Sequence, residues 1–183
     1  MLKPPSEKEL IIKTDRLILE PILPVHANKM LEVLSDKEIY KYIPENPPDL
    51  DKLTKRYEHW AKRISPKGDE LWLNWVGRRV DTNELIGYFQ SGFRAVDNVD
   101  IAYVLGINHQ KLGFAFEAMS AVISFLETKL NAKIIKAWID TRNHASIKLV
   151  KKLGMKQVEI IKDADYFKGE SSDEYVFERV FNK

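Results

Sequence analysis

The stretch from Asp100 to Ala118 reads DIAYVLGINHQKLGFAFEA, and the rest of the chain is organised around it. Its opening residues carry alternating β-branched and aromatic side chains, which predicts a strand ending near Leu105. A short loop follows, and Gly113 to Leu130 then reads as a long, strongly apolar helix. The first turn of a helix presents backbone N–H groups with no internal partner and a partial positive charge. A pyrophosphate can take those donors without any lysine being obligatory. Gly113 lets the backbone come close to such a group, and Ala115 keeps the next turn small. The segment is neither a dinucleotide fingerprint nor a P-loop, because G-x-G-x-x-G and GK[ST] are both absent. Alone, it also describes an ordinary strand–loop–helix connection.

Ala137 to Met155, AWIDTRNHASIKLVKKLGM, repeats the strand-to-helix pattern. The strand Lys133–Asp140 precedes a helix from Ala145 to Leu153, closed by Gly154 where a C-cap glycine is expected. Asn143 stands at the helix start, where asparagine is a favoured N-cap and is also able to bond an amide-rich ligand. Ser146 follows three residues later on the same face, with a hydroxyl able to give a proton to a leaving thiolate.

Outward from these two segments, residues 1–13 read as a tail or lead-in strand weakened by Pro4 and Pro5. Thr14–Leu19 is a β-type run, and Pro24–Leu34 is helical with proline near its start. Leu50, Leu53, Tyr57, Trp60, Ala61 and Ile64 mark an amphipathic helix after a proline-rich loop at 44–48. Leu71–Arg79 and Leu85–Phe93 form a hairpin about a turn at 81–83, and a third strand runs from Val99 to Leu105. Two closing strands are expected near Lys156–Ile161 and Asp173–Phe181. The fold class is therefore α+β, a mixed, mostly antiparallel twisted sheet with helices on both faces, in a single domain over 1–183.

The 183 residues include 29 basic and 27 acidic side chains, for a formal net charge of +2. Such balance argues against direct nucleic-acid binding. Basic patches such as Lys148, Lys151 and Lys152 with Arg78 and Arg79 are open to a test against RNA, and a solvated helix face is the ordinary explanation of the lysines. There are no cysteines and four scattered histidines, so no metal is expected. The N-terminus lacks a signal-peptide core and no stretch approaches a membrane span, which together predict a cytoplasmic protein.

Taken together, the motifs resemble those of the GNAT superfamily of N-acetyltransferases, in particular its RimJ/RimL-like branch of ribosomal-protein N-terminal acetyltransferases. The family's E-I-G-Y-W-L and Q/R-x-x-G-x-G/A elements stand here as Asp100-Ile101-Ala102-Tyr103-Val104-Leu105 and Gln110-x-x-Gly113-x-Ala115, followed by Glu117-Ala118. Its N-x-x-S and K-L-G-F elements stand as Asn143-His144-Ala145-Ser146 and Lys152-Leu153-Gly154-Met155. Thr14-Asp15-Arg16-Leu17 is similar to the branch's T-E-R-L opening, and Glu84-Leu85-Ile86-Gly87 to its hairpin strand. Lys111, Ala102 and Met155 depart from the pattern, and none of them closes the slot.

The resemblance implies the acyl-CoA N-acyltransferase fold, with acetyl-CoA as cosubstrate in a slot between two parting strands. Its cradle would comprise Tyr103, Val104, Leu105, Gln110, Lys111, Leu112, Gly113, Phe114, Ala115, Asn143, Ser146 and Lys152. It implies Ser146 as the acid and Asp165 as the base for attack by a primary amine. Asp100, at the start of the strand bordering the slot, is the other base candidate, and direct attack without a dedicated base is the alternative. The acceptor stays open between a peptide N-terminus and a small molecule such as a polyamine or antibiotic, with Trp72, Trp75, Tyr88, Phe89, Gln90 and Phe93 on the hairpin nearest to it. The assembly is expected to be a monomer or homodimer. An acyl-CoA-binding domain without catalysis is the other reading, which turnover of any amine would exclude.

Overall fold

The alternation read in the middle of the chain becomes a ladder in the computed structural model, which describes residues 3–181. The strands are β1 (Ile12–Lys13), β2 (Leu17–Pro21), β3 (Leu71–Arg79), β4 (Leu85–Ala95), β5 (Asn98–Leu105), β6 (Ile134–Asp140), β7 (Lys156–Phe167) and β8 (Glu170–Val180). The α-helices are α1 (Glu7–Leu10), α2 (Ala27–Val33), α3 (Leu50–Trp60), α4 (Phe114–Leu130) and α5 (His144–Lys152). The strands form one sheet in the order β1-β2-β3-β4-β5-β6-β8-β7. Only β5 and β6 run parallel, because the chain crosses over through α4 between them.

Helices cover both faces, so the central strands bury side chains on both sides. Leu73, Trp75, Phe89 and Ile101 pack with Met119, Val122 and Leu126 of α4 and Val150 of α5. On the other face, Val76 and Tyr88 pack with Met30 of α2 and with Leu53 and Tyr57 of α3. This is the mixed, mostly antiparallel architecture that the sequence predicted.

Four boundaries differ from the sequence reading, each for a physical reason. The lead-in region holds a short helix as well as a strand. Ser6 and Glu9 form a capping box at α1, and Leu10 is fully buried while its carbonyl accepts the Trp75 indole N–H at 2.7 Å. Burying that leucine contributes roughly 1.5–3 kcal/mol, enough to dock four residues that would not be helical alone. The second amphipathic helix stops at Trp60 rather than Ile64, because Ile64 leaves it to bridge Leu71. The closing hairpin is longer than expected. A bulge between Ile161 and Asp165 hides its alternation, and Lys168 and Gly169, with φ of 54° and 87°, make the tight turn.

The strand expected from Thr14 begins only at Leu17. Residues 14–16 instead form a loop clasped by Glu117 of α4. The Thr14 hydroxyl donates to its carboxylate at 2.6 Å, the Arg16 backbone N–H at 2.8 Å and the Arg16 Nε at 2.6 Å. Burial pushes the Glu117 carboxyl up, but these bonds outweigh it and hold the pKa below the ordinary 4.5. A depressed folded pKa contributes stability above the unfolded value and loses it as the pH falls through the folded value. Glu117→Gln is therefore expected to cost about 1–2 kcal/mol at neutral pH. Urea unfolding across pH is expected to show that gap narrowing below pH 4.5.

Candidate functional site

Strands β5 and β6 pair at two positions only, Val99 with Ile135 and Asp100 with Lys136. Beyond them β5 follows β4 as far as Leu105 opposite Gly87, while β6 follows β8 as far as Asp140 opposite Glu174. The two strands part, leaving a wedge in the sheet whose edges carry backbone groups not spent on each other. The approach of β4 to β5 depends on Gly87. A Cβ there would lie 2.1 Å from the Val104 carbonyl oxygen.

One wall of the wedge is the loop from β5 into α4. The Gly106 N–H bonds the Ile86 carbonyl at 2.9 Å, and the Gln110 side-chain amide donates to the Leu105 carbonyl at 3.1 Å, so Gln110 braces the loop. Lys111 and Gly113 both take the left-handed conformation, with φ of 61° and 85°. No side chain caps α4. Arg16 donates to the Leu112 carbonyl at 3.1 Å, and the guanidinium groups of Arg16 and Arg79 lie 4.5 and 5.3 Å from the Phe114 ring centre. Phe114 is thus a buried platform beneath the loop, Leu112 is half exposed, and Ala115 packs on the core. Uncapped N–H groups beside Lys111 make an anion-accepting rim, while the Arg16 and Arg79 guanidinium groups are paired with Glu117 and with Asp81 and Glu84.

The other wall is α5. Asn143 is its N-cap, the side-chain oxygen accepting the Ser146 N–H at 3.1 Å. Lys152 lies over the Phe116 ring at 4.1 Å, tying the end of α5 to α4. Tyr103 projects from β5 on the α4 side, beside the core partners of that strand. Its hydroxyl is buried without a settled hydrogen-bond partner, and the polar group acting on it is Ser146. Burial pushes the phenol up to about 12, opposed by Ser146. The wedge thus brings the expected Tyr103 and Ser146 together. Leu105 is core, and Val104 packs towards α2 and α3.

The opposite face of the sheet carries a cavity of about 340 Å³ where β5 and β6 separate, lined by Trp60, Trp72, Asn74, Gln90, Asp100 and Trp138 among others. Gln90 donates to Asn74 at 2.6 Å. Asp100 is held by Arg94 at 2.6 Å, and Arg94 also meets Glu70 at 3.0 Å. The hairpin aromatics therefore divide. Trp72 lines this cavity, Trp75, Phe89 and Phe93 belong to the α4-side core, and Tyr88 joins the α2–α3 core.

Asp165 lies in β7 opposite Ser172, whose hydroxyl donates to Asp140 at 2.9 Å. Glu174 pairs across β8 with Asp140. Burial first, then the charges of Asp165 and Asp140, push the Glu174 carboxyl above its ordinary 4.5. Asp140 is instead held low: Arg142 and Ser172 outweigh the upward push of burial. Sequence reasoning missed Trp138, Arg142 and Glu174. Their signal lies in strand pairing, which spacing along the chain does not carry.

Among the described residues no group of three or more His, Cys, Asp or Glu side chains is placed to hold a metal ion, and no helix is long and apolar enough to cross a membrane. Arg78 and Arg79 of the basic patch are engaged by Glu20 at 2.5 Å and Asp81 at 2.6 Å.

Comparison with known proteins places this geometry. Residues 16–156 match the family model described as an acetyltransferase (GNAT) domain. A protein of Bacillus subtilis, described as the uncharacterized N-acetyltransferase YoaA, is 30% identical over 175 residues, covering 93% of this chain and 96% of that one. A Salmonella typhimurium acetyl transferase described as modifying the N-terminal serine of a 50S ribosomal subunit protein superposes with a TM-score of 0.82 at 14% identity, over 94% of this chain and 99% of that one. The self-immunity acetyltransferase MccE, solved with acetyl-CoA and AMP, does so with a TM-score of 0.77 at 16% identity, over 92% and 94%. At these identities the two structures attest to the fold.

Proposed function

Because the chain belongs to the GNAT acetyltransferase family, whose acetyl donor is acetyl-CoA, we propose that its acceptor is the N-terminal α-amino group of a peptide or protein. The parting of β5 from β6 after Asp100 carries this reading, since it leaves a through-sheet opening with different chemistry on its two faces. The α4–α5 side fits a phosphate-bearing donor. Gly113 at φ 85° and the uncapped α4 start, with Lys111 beside them, suit a pyrophosphate. The β5 backbone beyond Asp100 suits an amide-rich arm, and Lys152 flanks it. The likeness to the ribosomal-protein serine acetyltransferase supports the α-amine, which enters from the other face.

When bound, acetyl-CoA supplies an activated acyl thioester. The chain's own residues then have three tasks. Backbone N–H groups of β5 beyond the last β6 pair stabilise charge developing on the carbonyl oxygen. Ser146, backed by the Tyr103 hydroxyl, hydrogen-bonds the departing sulfur. Asp165 and Glu174 take the proton that the ammonium form of the acceptor sheds before it attacks, and the second amine proton leaves with the sulfur. Asp100 is a weaker base candidate, because Arg94 already holds it.

The test is turnover: purified chain, acetyl-CoA and synthetic peptides, with mass spectrometry locating the new acetyl group. Acetylation confined to lysine side chains would overturn the reading. An α-amine of pKa about 8 is roughly one-tenth neutral at pH 7, so base assistance is worth about tenfold there. The paired substitution Asp165→Asn, Glu174→Gln is expected to lower kcat/KM about tenfold at pH 7. By pH 9, where the amine is neutral unaided, that deficit is expected to vanish.

A further inference from the structure

A second cavity, of about 550 Å³, opens between the loop at 37–47 that precedes α3 and the tip of the β7–β8 hairpin. Arg142, one residue before the Asn143 cap, forms part of its floor, which sets it at the mouth of the wedge. Lys37, Lys41, Arg142 and Lys168 line it against Glu38 and Glu170. How much of that positive charge is free decides what the cavity holds.

Arg142 is spent. It is shared between Asp140 at 2.7 Å and Glu170 at 2.8 Å, so no positive charge of its own is left for a ligand. Lys168 is different. At the hairpin tip, its ammonium donates to the carbonyls of Tyr40 and Ile43, across most of the length of the chain. Those partners are neutral, so the fixed ammonium keeps its full charge. An ammonium has three donors, and the two carbonyls leave one for a ligand. Lys37 and Lys41 have no carboxylate partner among the described ion pairs. Set against the three lysines are Glu38 and the one negative charge that Arg142 leaves over from Asp140 and Glu170, so the lining keeps a net positive charge.

Resting on the amine-acetylation reading, we infer that this cavity receives an anionic group of the acceptor, a carboxylate or phosphate carried close to the reacting amine. Lys168 is the contact tethered by two carbonyls, Lys37 and Lys41 are the ones without a carboxylate partner among the described ion pairs, and Tyr42 and Asn46 add neutral donors at the rim. The two sources of such a group are an acidic side chain near a peptide N-terminus and the phosphate of a small phosphorylated amine.

The experiment measures kcat/KM for peptides sharing one N-terminal residue and bearing Asp, Asn or Lys at positions two to four, beside phosphoethanolamine and ethanolamine. An at least tenfold preference for the Asp peptide over the Lys peptide, weakened by salt, is expected if an acidic peptide is the source. A like preference for phosphoethanolamine over ethanolamine marks the small phosphorylated amine. In the Lys37→Glu, Lys41→Glu double variant the preference is expected to reverse, and Lys168→Met, which keeps the stem's length, is expected to flatten it. Equal kcat/KM across both charge series, or a preference untouched by charge reversal, overturns this inference and leaves the amine-acetylation reading standing. Turnover of no peptide and no amine overturns both.

Discussion

Gly113→Trp is expected to abolish measurable acetyl-CoA binding in a calorimetric titration in which the native chain binds. The glycine holds φ of 85°, where an L side chain is strained, and a Cβ added to it would meet Arg16 Nη2 at 3.3 Å. An indole placed there stands over the N–H groups that begin α4, where a phosphate would approach. Each charge-assisted bond it displaces is worth about 1.5–3 kcal/mol, so losing two weakens binding by about a hundredfold or more. Strain and occlusion are separable. Gly169 has nearly the same φ, 87°, with nothing within 4 Å of where its Cβ would stand. Gly169→Ala therefore carries about 1–2 kcal/mol of the same backbone penalty without touching the cradle. Lower melting temperatures in both variants, with binding lost only in Gly113→Trp, are expected. Full affinity in Gly113→Trp would remove the cradle from this loop.

The contrast between these two glycines also shows what was legible in the sequence. The geometry of the proposed cradle was legible because its parts are local. Gly113 follows a strand and opens a helix, Gln110 reaches back five residues to Leu105, and Asn143 caps a helix three residues before Ser146. Spacing carries such contacts. The proposed acceptor side is built from distant pieces. Lys168 meets Tyr40 across 128 residues, Ser172 meets Asp140 across 32, and Arg142 meets Glu170 across 28. No periodicity links those positions, and the bulged, exposed β7–β8 hairpin gave even its strand boundaries only in part. The Thr14–Leu17 motif lies between the two cases. It was visible as a pattern, but its physical reason, the Glu117 clasp, joins residues 101 and 103 apart.

The remaining large effect concerns the departing sulfur. Ser146→Ala is expected to lower kcat by about a hundredfold, the lower end of what a positioned proton donor contributes, while leaving the KM for acetyl-CoA nearly unchanged. Ser146 is half-buried at the first turn of α5, and its one described neighbour across the wedge is the Tyr103 hydroxyl. That hydroxyl is too buried to touch a ligand directly, so its contribution runs through Ser146. With its pKa near 12 the phenol stays protonated across the working range and serves as a fixed donor that orients the serine. Tyr103→Phe is therefore expected to lower kcat by roughly tenfold, the worth of about one hydrogen bond. The fold is expected to hold, since that hydroxyl bonds no backbone group among the described residues and the phenyl ring keeps its place against the core. In the double variant the losses are expected not to add: with Ser146 gone, the phenol has nothing left to orient. Fully additive losses would mean that Tyr103 acts on the reaction by another route. An undiminished kcat in Ser146→Ala would mean that the thiolate leaves unassisted, as its own low basicity allows, and that the serine serves the helix alone.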